Sequence, residues 1–393
     1  MLFWVLFSLL PPVMLLSLPA LPRRSFIEGT LTGSLQGSFM QSLLLSVLPP
    51  STNNTASDKN TLDLNRSSSP IVLPLTYQPR LEAYTLNFSL EGSSQNFTGV
   101  VDTGSPFLTV AAPHRAANPN DGEICGSFSF PFGCYRGEGE VDPELGDTVE
   151  QFGALQGRVI WRRGNLTLDD HLFPRVAFGA VDASLLSSSN GGAVFFGTVK
   201  RIAKGIRPSL LSEIDAVAFR LSLSSPSETS LTIYPRSSQT SPSFPSSPPL
   251  KFSDLRRYGS PVQHYAAKVK TLLLDGVPAT LDRPTYAIID SGCTGLLLSE
   301  SMYSQGKFNG PPAVLRTPRS VTVEFENDLK LTAGGKGKGR SSFLALPVPI
   351  PWFGERGVAR PETAPIHVMS LGLAFFNGSD VIIDTEQMRG WIT

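Results

Sequence analysis

Only 3 cysteines, 4 histidines and 4 tryptophans occur among 393 residues. The cysteines form no Cys-x-x-Cys pair, and His114, His171, His264 and His367 stand alone, with no His-Glu-x-x-His. Neither a metal site nor a cofactor is therefore expected. An excess of one charge sign is missing too, since 33 basic residues balance 33 acidic ones. A nucleic-acid partner, which calls for a basic face, is not expected. No repeat of the solenoid kind recurs, and no Gly-x-Ser-x-Gly marks a serine nucleophile. The basic stretch AGGKGKGR at residues 333–340 lacks the Lys-Ser/Thr end of a phosphate-binding loop. It reads as a solvated surface loop.

What the chain does have is glycine and proline, 35 and 33 of them, punctuating short apolar runs. That pattern belongs to a mostly β protein, and the length allows two lobes with a core each. Residues 1–20, MLFWVLFSLLPPVMLLSLPA, are nearly all apolar. They read as a secretory signal segment, or as an N-terminal membrane anchor if left uncleaved, although Pro11 and Pro12 break the run. Residues 21–70 are rich in Ser, Thr and Leu and poor in acids. They read as a largely disordered leader, either a propeptide or the second half of a bipartite plastid-targeting sequence. Asn-x-Ser/Thr sequons begin at Asn53, Asn65, Asn87, Asn96, Asn165 and Asn377, six from 13 asparagines. That exceeds chance and favours the secretory pathway, with an extracellular or vacuolar end point. A plastid reached by the secretory route is the alternative. Cys125 and Cys134 bracket eight residues; they form a disulfide if the chain is exported and two thiols if it is not. Cys293 is left over. A monomer is the default.

Two hairpins organise the rest. LEAYTLNFSLEGSSQNFTGVVDTG, from residue 81, alternates into an EGSSQ turn and out again; HYAAKVKTLLLDGVPATL, from residue 264, turns at Asp-Gly. Each leads into the same kind of loop: VVDTGSPFLTV at residues 100–110 and AIIDSGCTGLLL at residues 287–298. One Asp before Thr-Gly is most simply a turn cap. Two copies, each after β-branched residues, suggest two loops facing each other with their carboxylates in contact. A carboxylate on apolar surface is costly unless bonded or sharing its charge. Two in contact share one proton. One then activates water as a general base, and the other, protonated, donates to a substrate carbonyl. The Ser/Pro-rich segment 235–250 separates the halves and cannot build a core. This divides the chain into an N-terminal lobe, 71–245, and a C-terminal lobe, 246–393.

Together with GGAVFFG (191–197), AFRLSLSS (218–225) followed by SLTIYP, and the closing SLGLAFFNGSDVIIDTEQMRGWIT (370–393), the two loops resemble the pepsin-like aspartic proteases from residue 71 onward. The resemblance implies a bilobal fold of two pseudo-symmetric six-stranded β lobes. It implies a central cleft for an extended polypeptide, aspartic endopeptidase activity and no cofactor. Carried onto this chain, Asp102 and Asp290 are the catalytic pair. Thr103 and Ser291 supply hydroxyls that cross-link the loops. Gly104 and Gly292 let N–H groups approach the carboxylates, and Ser105 supports Asp102.

The departures are specific. Cys293 stands where a hydroxyl is usual, and a thiol is a weak donor. QFGALQG (151–157) is the best match to the flap hairpin, with Phe152 in the place of its Tyr and Gly153 after it. Thr109 takes the place of the indole that meets that Tyr. Donor and acceptor are missing together, so the flap closes by apolar packing or not productively. The leader holds only Arg23, Arg24, Lys59 and Arg66 as basic residues, which speaks against the basic, self-inhibitory propeptide usual in that family. A non-catalytic binding protein on the same fold, like the plant xylanase inhibitors, is the alternative. Phe152, Thr109 and Cys293 favour it; the two aspartates oppose it.

Overall fold

The computed structural model describes residues 69–393, except 80, 94–95, 113–131, 137–139, 153–154, 183–193, 203–206, 226, 241, 300–301, 303–319, 335–344 and 349–364. Residues 1–20, nearly all of the stretch 21–70, Cys125, Gly153, His114 and most of the basic stretch lie outside the described residues.

The first half supplies β1 (Ile71–Pro74), β2 (Thr76–Gln78), β3 (Ala83–Leu90), β4 (Asn96–Asp102), β5 (Leu108–Ala112), β6 (Asp147–Phe152), β7 (Leu155–Leu168), β8 (His171–Asp182), β9 (Phe195–Gly197), β10 (Ala216–Ser222) and β11 (Ser230–Pro235). The second supplies β12 (Leu250–Lys251), β13 (Ala266–Leu274), β14 (Val277–Ala279), β15 (Thr285–Ile289), β16 (Leu296–Ser299), β17 (Ser320–Phe325), β18 (Lys330–Gly334), β19 (Ala345–Val348), β20 (His367–Leu371), β21 (Asp380–Asp384) and β22 (Arg389–Ile392). Helix is limited to short pieces such as α1 (Leu210–Glu213) and α2 (Leu373–Phe376). The protein is mostly β, as the broken apolar runs imply.

Period-two patterning makes the strands with one solvated face. In β11 and β17, SLTIYP and SVTVEF, every second side chain is buried. Strands β15 and β21, TYAII and DVIID, are buried along their whole length and lie inside their sheets. Both anticipated hairpins form. Strands β3 and β4 pair with Phe88 opposite Phe97. Strands β13 and β14 join through Asp275 (φ 52°) and Gly276 (φ 82°), the two positive-φ residues that a tight hairpin turn needs.

Three sheets result. One runs β2-β3-β4-β9-β5-β8-β7-β6, with β3 also meeting the far end of β7. A second runs β18-β17-β13-β15-β20-β16-β19, with β14 on β13. The third has six strands, β1-β11-β10-β21-β22-β12, drawn from both halves. The expectation of two six-stranded lobes is corrected here: each half builds an eight-stranded sheet, and the six-stranded sheet is held in common. The reason lies in the strands near the two ends of the described residues. Ile71, Leu73, Val381 and Ile383 are buried apolar residues that find cover by pairing across the molecule. Strand β10, with β11 on one side, takes β21 on the other.

One local path occurs twice. Strand β4 leads to Asp102, β5 leaves its loop, and β9 passes between them, parallel to β4 and antiparallel to β5. Strand β15 leads to Asp290, β16 leaves, and β20 passes between in the same senses. At each crossing a glycine is required by contact. A Cβ on Gly197 would lie 2.7 Å from the Ser105 and Phe107 carbonyl oxygens, and one on Gly372 2.6 Å from that of Gly295.

A single large apolar cluster runs through both halves, from Ile71 to Met388. The Ser/Pro-rich connection lies against β22: Phe244 stacks on Trp391 at 4.7 Å, and the Trp391 indole donates to the Ser247 carbonyl at 2.9 Å. Cys134 is buried and disulfide-bonded, and Cys293 is free and buried.

Candidate active site

Each loop reaches into the other. Thr103 Oγ1 donates to the Ile289 carbonyl at 2.8 Å and accepts from the Ser291 N–H at 2.8 Å. Ser291 Oγ donates to the Val101 carbonyl at 2.7 Å and accepts from the Thr103 N–H at 3.1 Å. Four bonds thus join two segments 188 residues apart, each hydroxyl acting once as donor and once as acceptor. Both side chains are buried, so the loss of either would strand backbone groups away from water.

The carboxylates sit on either side of this knot. Gly104 N–H donates to Asp102 Oδ1 at 2.8 Å, and Gly292 N–H to Asp290 Oδ1 at 3.0 Å. The glycines are sterically obligatory. A Cβ on Gly104 would lie 2.7 Å from the Asp290 carboxylate, and one on Gly292 would run into that of Asp102. Asp102 and Asp290 face each other across these glycines, and each shifts the other's titration. Burial raises both pKa values. For Asp102, the Gly104 N–H and then Ser105 work against that rise. For Asp290, burial and the Asp102 charge act together and lift it to about 8. Burial and the repulsion between the two charges together favour a state in which the pair holds one proton.

Supporting residues differ between the loops. The Ser105 hydroxyl makes no well-aligned hydrogen bond, yet lies close enough to Asp102 to favour its charge. Cys293 Sγ points at the Asp290 carbonyl at 3.5 Å. Its thiol gives Asp290 only the weakest of the charge-stabilising contacts, and burial drives its own pKa well up. The thiol is inert here as a nucleophile. A residue not anticipated from sequence, His264, is buried beside the dyad. Its ring bonds the Gly104 backbone, and burial lowers its pKa to about 4.

The hairpin of β6 and β7 is where the sequence is least legible. Phe152 ends β6, paired with Leu155; Gly153 lies outside the described residues. Thr109 is buried on β5, and its hydroxyl has no hydrogen-bond partner among the described residues. An indole nevertheless lies nearby. Trp161 on β7, Gly179 on β8 and Thr109 on β5 form one row across the sheet. The indole and Thr109 Cγ2 both come within 3.5 Å of where a Cβ on Gly179 would stand. Trp161 Nε1 donates to Thr148 Oγ1 at 2.8 Å, and Thr148 Oγ1 donates to Glu150 at 2.6 Å, both on β6. Glu150 pairs with Arg207. The Arg207 guanidinium lies 5.3 Å from the Trp161 ring and 5.6 Å from the Phe107 ring, in the Asp102 loop. Phe107 meets Trp161 edge-on at 5.0 Å. The hairpin is therefore tied to the Asp102 loop by polar and cation–π contacts. A different donor–acceptor pair, Trp161 with Thr148, joins the two arms of this hairpin.

Among the described residues, no cluster of three His, Cys, Asp or Glu side chains is placed to hold a metal ion. His367 is buried and paired with Asp282 at 2.8 Å, far along β20 from the dyad. No family model matches the chain, and no curated protein matches it.

Proposed function

We propose that this protein is an aspartic endopeptidase with the bilobal fold of the pepsin-like proteases. The observation that carries the reading is the reciprocal knot of Thr103 and Ser291, which brings the buried carboxyls of Asp102 and Asp290 together over Gly104 and Gly292. A turn-capping aspartate needs no such partner. The repeated β4-β9-β5 and β15-β20-β16 paths support the same fold.

In this reading, a water held between the carboxyls loses a proton to ionised Asp102 as it attacks the peptide carbonyl. Protonated Asp290 donates to the carbonyl oxygen, so charge never accumulates on the tetrahedral carbon's substituents. Collapse returns a proton to the leaving amine. No covalent intermediate forms, and no cofactor takes part. An extended polypeptide is the substrate, bound by main-chain hydrogen bonds. Passage through the secretory pathway fits the disulfide-bonded Cys134.

Cys293 favours a second reading, a non-catalytic binder on the same fold, because Asp290 gains little from a thiol. One experiment separates them. The full chain is incubated with an unfolded protein from acid to neutral pH, alone, with a hydroxyl-bearing transition-state analogue, and as Asp102→Asn. Cleavage abolished by both the analogue and the substitution is expected. A folded protein that neither cleaves nor binds the analogue would leave only the binder.

A further inference from the structure

Three of the sequons meet on one surface: those at Asn87 and Asn96, on neighbouring strands, and that at Asn165, from further along the chain. Strand β3 carries Asn87-Phe88-Ser89, β4 carries Asn96-Phe97-Thr98, and β7 carries Asn165-Leu166-Thr167. In the pairing of β3 with β4, Asn87 faces Thr98 and Ser89 faces Asn96, so the two sequons are antiparallel mates in perfect register. On the other side of β3, Ser89 faces Thr167. Asn165 then meets Glu91 just past the end of β3, its N–H donating to the Glu91 carboxylate at 3.2 Å. The middle residues Phe88, Phe97 and Leu166 are 3%, 0% and 0% exposed. A strand alternates its side chains between two faces. Three buried middles therefore put all three asparagines and all three hydroxyls on the opposite, outward face. Asn87 and Asn96 are exposed there.

The matching face of the second eight-stranded sheet is solvated differently. On β13, β17 and β18, with the turn after β17, Lys268 pairs with Glu326, Lys270 with Glu324 and Asp328, and Lys330 with Glu324. The sequon face offers amides and hydroxyls where that face offers ions. Thr98 Oγ1 donates to Asn87 Oδ1 at 2.9 Å, and the Arg175 N–H donates to Asn165 Oδ1 at 3.2 Å. In both asparagines it is the carbonyl oxygen that is engaged.

We propose that this outward face of β4, β3 and β7 is a glycan platform, with Asn87, Asn96 and Asn165 as acceptors of N-linked oligosaccharide. The donor is a lipid-linked oligosaccharyl pyrophosphate. The asparagine Nδ2 forms a bond to sugar C1 as the C1–O bond to pyrophosphate breaks; the amide gives up one proton, and the lipid pyrophosphate leaves. The hydroxyl two residues on is the acceptor's recognition element. Transfer requires an extended, unpaired segment, so it precedes the zipping of β3 to β4 and β7. The outward direction of all three sites then lets the finished sheet form with its sugars in water. The inference rests on export and not on the proteolytic reading.

The test uses the full chain isolated from the cells that naturally make it. Enzymatic removal of N-glycans in ¹⁸O-water converts each occupied Asn to labelled Asp, which peptide mass spectrometry locates. Label at two or more of residues 87, 96 and 165 is the expected result. Label at one or none of them, whether or not Asn53, Asn65 or Asn377 is occupied, overturns the platform. The mapping needs no variant and so does not depend on a substituted chain folding.

Discussion

At the scale of single residues, the dyad sets stability against function. Asp290 has a folded pKa above its unfolded value. Its contribution is therefore fully present below about pH 4 and is lost as the pH rises toward its folded pKa. Asp290→Asn removes that penalty. The variant is expected to lose roughly 10²–10⁴-fold in kcat while melting higher than the parent at pH 7. Melting curves of both proteins at pH 4 and pH 7 check this: the gap must open at the higher pH. Ser291→Ala strands the Val101 carbonyl and the Thr103 N–H and is expected to cost ~1–3 kcal/mol in denaturant unfolding, with Ser291→Thr restoring most of it. Cys293→Ser replaces a weak donor by a strong one beside Asp290. The basic limb of the pH–rate profile should move to lower pH, and a profile that does not move would mean that the side chain at 293 does not reach the dyad. Asp102, Asp290, Thr103, Ser291 and the two glycines were all legible in the sequence, because a strand-Asp-hydroxyl-Gly unit is local. His264 was not, since nothing in VQHYAA says that the ring will meet Gly104 across the fold.

At the scale of elements, alternation and turn chemistry made the β3–β4 and β13–β14 hairpins legible. The β6–β7 hairpin was not, because Trp161 meets Thr109 only through a row of residues across β7, β8 and β5. A row of residues across three strands is a product of register, and register is not written in any one strand. Trp161→Phe keeps the ring against Phe107 and Arg207 but removes the donor to Thr148. It should cost about 1 kcal/mol and, if the hairpin covers the substrate, raise KM more than it lowers kcat. Steady-state kinetics on a peptide substrate would show the split. Gly179→Ala should be worse than Trp161→Phe, since its methyl would lie 2.6 Å from Val159 Cγ1. The six-strand count failed for a related reason. Pairings such as Ile71 with Ile233 and Phe219 with Ile383 leave no local mark.

At the scale of the whole molecule, the shared six-stranded sheet makes the halves interdependent. Strand β10 is an inner strand only because β21 lies beside it. Residues 69–245 and 246–393 expressed separately are expected to be poorly folded by near-UV circular dichroism, and to recover native signal when co-expressed. Two opposed titrations also meet at this scale. His264 is held neutral down to about pH 4, so the unfolded state takes up its proton first. That destabilises the fold as pH falls from 6.5 to 4, by about 3 kcal/mol in all. The dyad acts in the opposite direction over the same interval.

The reciprocal knot has a consequence in time. Ser291 is synthesised 188 residues after Thr103, which at cellular elongation rates is a delay of roughly 10–40 s. Throughout that interval the first loop has made its aspartate but has nothing to share a proton with. Whatever the pair of carboxyls does, a growing chain on the ribosome cannot do it, and no separate inhibitor is required to keep the nascent protein silent.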